Sequence, residues 1–199
     1  MNGEWDMVAT VTIVEANGPT GSPTWTPVTT VRYCTADTYN PGNSYPCVVP
    51  TSGYNYSYWK HLAAEFSGTF TQLSNWRWYG PGTIKSTWQL GTGGMLLLAR
   101  RDAGDHGCPA VNYAQATGTQ GQTGHHLKDA TNGHTYYKTQ TIDPADADSY
   151  TSANPFSFDS TTYTSAGRTK ALVSQLRIGV GAVQGEKATM TGTIIWDEI

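Results

Sequence analysis

The stretch RTKALVSQLRIGVGA, residues 168–182, alternates between two faces of an extended chain. Its odd-numbered residues from 171 to 177 share one face, and its even-numbered residues from 172 to 178 share the other. A period of two predicts a β-strand. The segment KATMTGTIIWDEI (187–199) repeats the alternation, and GAVQGE between them predicts a hairpin loop. These two segments make strands the dominant local structure.

Further strands are predicted along the rest of the chain. Pro27 marks its own strand as an edge strand or as the site of a bulge. The segment SYWKHLAAEF also allows a helical turn at Leu62–Glu65, but SGTF (67–70) favours a tight turn between two strands. The segments with strand character are 7–15, 24–34, 57–66, 70–80, 86–90, 94–101, 134–142 and 156–164.

Composition agrees with an all-β fold. The chain has 22 Gly, 12 Tyr and 7 Trp in 199 residues, residue types that favour turns and strands. About eight strands without a repeat of 20–50 residues predict an antiparallel β-sandwich of jelly-roll type rather than a propeller or solenoid. We expect one domain over 1–199. Residues 102–167, rich in Gly, Thr, Asp and Asn, are predicted to form a loop-rich insertion at its surface.

Charge and hydropathy exclude several classes of protein. Charged residues are 14% of the chain and the formal net charge is −3, without the basic run that a nucleic-acid-binding protein needs. The longest apolar run, Met95–Ala99, is far too short to span a membrane. The first residues lack the pattern of a signal peptide. We therefore expect neither a nucleic-acid nor a membrane partner.

Two polar segments carry side chains that could bind metal or act in catalysis. RRDAGDHGCP (100–109) contains His106 and Cys108, but structural zinc needs four ligands at short paired spacings, and catalytic triads converge from different elements. DPADAD (143–148) could hold a surface Ca²⁺ or form an acidic helical turn after Pro144. We predict no catalytic residue, no metal ligand and no cofactor, and we expect the protein not to be an enzyme.

Two cysteines flank a turn-rich loop. Cys34 and Cys47 stand on either side of TADTYNPGNSYP. They could form a disulfide that closes the loop or remain free thiols, and the sequence leaves both alternatives open.

The aromatic residues are dense enough to build a binding surface. Such residues stack on sugars or contact a protein partner when exposed, and they fill the core of a sandwich when buried. The candidates for sugar or partner contact are Tyr54, Tyr56, Trp59, Trp76, Trp78 and Tyr79.

Parts of the chain resemble a group of uncharacterised proteins encoded in tailed-phage, archaeal-virus and provirus-like gene clusters. The resemblance lies in FSGTFTQLSNWRWY (66–79), GTGGMLLL (91–98), SAGRTKALVSQLRIG (165–179) and the terminal WDEI. It covers about half of the chain and includes no catalytic motif. It implies a β-sandwich virion protein that decorates a capsid or belongs to a tail, assembles in the host cytoplasm, self-associates and contacts other virion proteins. The alternative is a carbohydrate-binding or receptor-binding module that uses exposed aromatic side chains.

Overall fold

The fold is described from a computed structural model, which covers residues 8–19, 22–100, 122–133, 137 and 143–199. This part of the chain forms an all-β structure with antiparallel strands in two sheets, as the sequence predicted. In chain order its elements are β1 (Ala9–Asn17), β2 (Thr24–Pro27), β3 (Tyr54–Tyr56), β4 (Lys60–Gly68), β5 (Leu73–Tyr79), α1 (Ile84–Trp88), β6 (Met95–Arg100), β7 (Ala145–Asp146), β8 (Phe156–Asp159), β9 (Gly167–Arg168), β10 (Leu172–Gly179) and β11 (Thr193–Glu198).

The two sheets differ in size. The larger one has eight strands along the path β2-β1-β4-β10-β6-β7, with β3 paired to β10 and β9 paired to β4. The smaller one has three strands in the order β11-β5-β8. The strand order does not confirm the jelly-roll connectivity, which stays a prediction.

The main hydrophobic core lies between the two sheets. Every second residue of the long strands points into it, as the alternation of the sequence requires. Fully burying a large apolar side chain contributes about 1.5–3 kcal/mol, so this face supplies much of the stability. Its buried members include Leu62, Phe66, Leu73, Trp76, Trp78, Leu98, Phe156, Phe158 and Leu172.

The opposite face of the large sheet is also covered. Trp59, Ala99 and Val173 pack there against Leu127 and Tyr137, which come from outside the sheet. Because both faces are covered, β4, β6 and β10 are buried along most of their length. This explains why β6 is a continuous apolar run rather than an alternating one.

Two predicted hairpins are wrong. The turn after β4 leads to β5 in the other sheet, and the loop after β10 leads to β11, also in the other sheet. The edges of β10 already pair with β6 on one side and with β3 and β4 on the other. No edge is therefore left for β11, which pairs with β5.

Two predicted strands differ from the structure. The strand expected at 24–34 ends at Pro27, which does lie in the edge strand β2 of the large sheet. Most of the strand expected at 86–90 instead lies in helix α1, which ends at Trp88. Ile84 and Trp88 are four residues apart, so a helical turn directs both side chains to the interior, where Ile84 is buried and Trp88 packs beside it.

The segment 102–167 is more than a surface insertion. Its strand β8 pairs with β5, and the Phe156 and Phe158 side chains enter the main core. Leu127 is fully buried against the large sheet. The apolar residues of this segment are few and widely spaced, which is why its composition predicted a surface. The strand predicted at 134–142 lies outside the described residues apart from position 137.

Candidate functional site

Three of the six candidate aromatics are buried, which corrects their assignment to a contact surface. Trp59 and Trp76 are at most 1% exposed and Trp78 is 8% exposed. Trp76 and Trp78 occupy inward positions of β5, and Trp59 precedes β4 on the covered outer face of the large sheet. These side chains cannot stack on a ligand that arrives from solvent.

Trp76 is enclosed on both sides. Its ring stacks on Phe66 at a centroid distance of 5.4 Å and on Trp196 at 5.3 Å. Offset stacking of this kind stabilises aromatic pairs beyond the area they bury. Trp76 is therefore a central residue of the core.

The other three candidates lie at or near the surface. Tyr54 is 44% exposed, and Tyr56 and Tyr79 are half-buried. Tyr54 and Tyr56 are neighbours on β3, with ring centroids 6.5 Å apart. Tyr79 ends β5 in the other sheet. Among the six candidates, Tyr54 and Tyr56 form an accessible aromatic pair.

Arg177 holds the Tyr54 ring in place. Its guanidinium carbon lies 4.7 Å from the ring centroid, and its Nε donates to the Gly93 carbonyl at 2.8 Å. Gly93 lies so close to the ring that a Cβ atom there would come within 2.5 Å of the tyrosine oxygen. The exposed ring is thus fixed before any partner arrives.

His126 contacts the second tyrosine of the pair. The imidazole and the Tyr56 ring have centroids 5.2 Å apart. Burial, and then the nearby Arg177 charge, lower the pKa of His126 below its ordinary value. Burial likewise raises the pKa of Tyr56. Both groups are therefore uncharged at neutral pH, and Arg177 is the cation of this cluster.

Exposed apolar side chains surround the same end of the large sheet. Tyr54 pairs with Gly179 at the end of β10, and Val180 follows at once with 41% exposure. Val183, in the same turn, is 51% exposed. Val48, 50% exposed, accepts through its carbonyl from Asn55 of β3. We call these residues, Val48, Tyr54, Val180 and Val183, the β3–β10 surface.

Residues 122–127 are attached to the sheet beside this surface. The Gln175 amide donates to the carbonyls of Ser57 and His125 at 3.0 and 2.7 Å and accepts from the Leu127 N–H at 3.2 Å. Trp59 Nε1 donates to the same His125 carbonyl at 2.9 Å. Sequence reasoning assigned no role to Gln175, although an amide that follows Ala171 and Val173 on their face of the strand was the available signal.

Cys34 and Cys47 are free thiols in the structure. Cys34 is buried and its thiol contacts the Ala36 carbonyl at 3.3 Å. Cys47 packs against the small cluster of Leu90, Leu176 and Ile178. Burial, reinforced by the nearby Cys34, raises the pKa of the Cys47 thiol to about 12, and a protonated thiol is a poor nucleophile.

The aspartates of the acidic segment 143–148 each have a local partner. Asp143 binds Lys128 at 2.8 Å and Asp146 binds Lys85 at 2.6 Å. Asp148 accepts the first two N–H groups of α1, from Ile84 at 2.6 Å and Lys85 at 3.0 Å. The segment includes a 3-10 turn at Ala147–Ser149, close to the helical turn that the sequence allowed.

Metal-binding geometry is absent from the described part of the chain. There, no three side chains of His, Cys, Asp or Glu come together in a group that could hold an ion. His106, Cys108 and His134 lie outside the described residues. His125 and His126 are described. The His125 carbonyl accepts from Gln175, and the His126 ring packs against Tyr56.

A buried ion pair lies on the core-facing side of the large sheet. Sequence reasoning missed it. Lys60 Nζ binds Glu15 Oε1 at 2.7 Å, and both side chains are at most 1% exposed. Lys60 also donates to the Thr38 carbonyl at 2.6 Å. The available signal was charge in an apolar register, because Glu15 follows Val11 and Ile13 on their face of β1 and Lys60 precedes Leu62 on its face of β4.

Burial dominates the electrostatics of this pair. Loss of solvation raises the pKa of Glu15 despite the opposing effect of Lys60, and Asp37 raises it further. Tyr33 lies nearby and bonds to the Ser174 hydroxyl at 2.9 Å. Loss of solvation also raises the pKa of Tyr33 well above its ordinary value. A buried pair of this kind is a weak source of stability, since desolvation offsets much of the attraction.

Comparisons with known proteins identify no family for this chain. It matches no protein-family model, no curated protein and no solved structure. Within the described ranges, none of the helices has the length and apolar character needed to cross a bilayer.

Proposed function

We propose that the protein is a structural component of a virion that binds neighbouring subunits through the β3–β10 surface. The observation that carries the proposal is Tyr54, an exposed aromatic ring that Arg177 and Gly93 hold in one position. Fixed aromatic side chains are favoured at the centre of protein interfaces because they lose little conformational entropy on binding. The resemblance of the core strands to proteins of viral gene clusters supports the virion context.

The apolar neighbours of Tyr54 suit a protein partner. Val48, Val180 and Val183 are each at least 41% exposed, and the chain as a whole carries few charges. Exposed apolar side chains around an aromatic ring are typical of contact sites. The partners we propose are capsid or tail subunits and further copies of this chain, which would meet it in the host cytoplasm during assembly.

The test compares two tyrosines of matched exposure. Tyr54→Ser and Val180→Asp alter the proposed surface, whereas Tyr39→Ser alters a tyrosine that is 43% exposed on another loop. We expect the native chain to self-associate in analytical ultracentrifugation and to sediment with particles of its own virus. Tyr54→Ser and Val180→Asp should weaken both, and Tyr39→Ser should weaken neither. A native chain that stays monomeric and does not sediment with particles would refute the proposal.

The second candidate function is carbohydrate binding at the same tyrosines. The observation in its favour is the adjacent Tyr54 and Tyr56 pair with the Arg177 donor beside it. A glycan array would show binding that Tyr54→Ala abolishes and Tyr39→Ala preserves. Absence of binding to any glycan would exclude the carbohydrate-binding function and leave contact with a protein partner as the proposed role of Tyr54.

A further inference from the structure

Asn17 lies beside the buried Glu15–Lys60 pair. In the antiparallel register of β1 and β4, Ala16 pairs with His61, so Asn17 and Lys60 are the next residues across from one another. Side chains in such positions have Cβ atoms about 4.5–5.5 Å apart. Asn17 Nδ2 contacts Glu15 Oε1 at 3.2 Å, the same oxygen that Lys60 Nζ contacts at 2.7 Å. An amine and a carboxamide therefore meet at one carboxyl oxygen.

The carboxamide lies between two carboxyl groups. Asn17 Nδ2 also donates to Asp37 Oδ1 at 2.9 Å, while Asp37 Oδ2 accepts from the Gly18 N–H at 2.8 Å. Among the described residues, Asn17 Oδ1 and Glu15 Oε2 are buried without a hydrogen-bond partner. A purely structural cluster would normally satisfy such atoms.

Proton transfer across the 2.7 Å contact between Lys60 Nζ and Glu15 Oε1 would produce an uncharged pair. Removing a carboxylate and an ammonium from water is costly, and a proton moved from Lys60 to Glu15 leaves a neutral amine and a neutral acid. A neutral amine is a nucleophile, and the acid beside it can protonate a leaving group. Burial raises the pKa of Glu15, which makes the carboxylate a better proton acceptor.

We propose that Lys60 and Asn17 become joined by an intramolecular amide bond, with Glu15 as the proton carrier. Lys60 Nζ, after giving a proton to Glu15, attacks Asn17 Cγ and forms the new C–N bond. Glu15 protonates Nδ2 and takes a proton from Nζ, the Cγ–Nδ2 bond breaks, and ammonia leaves. Ammonia then takes the remaining proton from Glu15. The step needs neither an oxidant nor a reductant, and it links β1 covalently to β4.

The test is intact-mass spectrometry of the folded full chain, followed by peptide mapping. We expect the native chain to be lighter than its sequence by one ammonia. Trypsin should not cleave after Lys60, and a branched peptide should join the segments that contain residues 17 and 60. A mass equal to that of the sequence, or a missing branched peptide, would overturn the proposal.

Matched variants separate this bond from another loss of ammonia. Asn17 precedes Gly18, and such a pair can lose ammonia by closing a succinimide on its own backbone. Lys60→Arg keeps the charge pair but removes the nucleophile, so it should keep its full mass. Ammonia loss in Lys60→Arg, together with a native chain that yields no branched peptide, would assign the loss to the succinimide and refute the amide bond.

Two further variants test the electrophile and the proton carrier. Asn17→Ala removes the carboxamide and leaves the Glu15–Lys60 pair intact, so it should fold with its full mass. Glu15→Gln should fold with Lys60 and Asn17 unjoined. A branched peptide in Glu15→Gln would contradict the role of Glu15. If Lys60→Arg or Glu15→Gln does not fold, the native chain and Asn17→Ala test the amide bond by themselves. A branched peptide in the native chain and its absence in Asn17→Ala would support the bond, and any other result would refute it.

Discussion

Gln175 and His125 are linked by a hydrogen bond of 2.7 Å from the amide nitrogen to the backbone carbonyl. The bond joins a central strand to a segment 50 residues away in the chain. The same buried Gln175 side chain also bonds to Ser57 and Leu127, so three of its hydrogen-bonding positions are used. This residue attaches the outer covering of the large sheet.

Gln175→Ala should destabilise the protein by about 2–3 kcal/mol, because buried backbone groups lose their partner. Urea unfolding measures the change. Gln184→Ala, an exposed glutamine in the loop after β10, is the control and should change the free energy of unfolding by less than about 0.5 kcal/mol. Equal effects of the two substitutions would contradict the attachment role.

Asp148→Ala should destabilise the protein by about 1–2 kcal/mol, as expected for the loss of a helix cap. The reason is that Asp148 accepts the first two N–H groups of α1, and no side chain at Thr83 replaces it. Asp143→Ala is the matched control. Its carboxylate is exposed and only pairs with Lys128, so its removal should cost about 0–0.5 kcal/mol. Chemical denaturation distinguishes the two, and a larger effect at Asp143 would be contrary to the structure.

Trp76→Ala should destabilise the protein by about 3–5 kcal/mol, the usual range for a buried aromatic residue. Phe66 and Trp196 would both lose their stacking partner. Tyr54→Ala should change stability by less than about 1 kcal/mol because the ring is exposed. Thermal unfolding of both variants measures the difference. A Trp76→Ala variant as stable as the native chain would show that the core is packed differently.

The Cys47 thiol should resist alkylation in the folded protein and react readily in urea. Burial raises its pKa from the ordinary 9.0 to about 12, and the thiolate is the reactive form. The comparison is made in a Cys108→Ser background by mass spectrometry after iodoacetamide treatment. Rapid labelling of Cys47 in the folded chain would count against the packing of its side chain on Leu90, Leu176 and Ile178.

The same shift in pKa predicts a pH dependence of stability. Between about pH 9 and pH 12 the folded state holds the Cys47 proton and the unfolded state releases it. The free energy of unfolding therefore falls as the pH rises through this window. Cys47→Ala should show a shallower fall than the native chain when unfolding is followed across these pH values.

Strands that alternate in the sequence were predictable, and the pairing of those strands was not. Period-two patterns located β1, β4, β5 and β10 within a few residues. Hairpins were expected after β4 and after β10, but the edges of both strands already pair with other strands of the large sheet. Their neighbours in sequence therefore join the other sheet. The pattern of apolar residues specifies which face is covered, but it does not specify which element covers it.

The candidate site was only partly predictable for a related reason. Tyr54 and Trp76 are alike as residue types, and only the packing of the two sheets makes one exposed and the other buried. The Glu15–Lys60 pair depends on the register of β1 against β4. Residues that act together across strands become visible only when that register is known.

The central position of β10 has a consequence for synthesis of the chain. The strand lies between β4 and β6 in the large sheet, yet most of the sequence precedes it. Until it leaves the ribosome, the open edges of β4 and β6 have no partner from this chain, and pairing over such separations is slow. Unpaired edges of this kind attract other strands. We therefore expect the large sheet to form only after β10 has been synthesised, so that a nascent chain needs protection from aggregation until then.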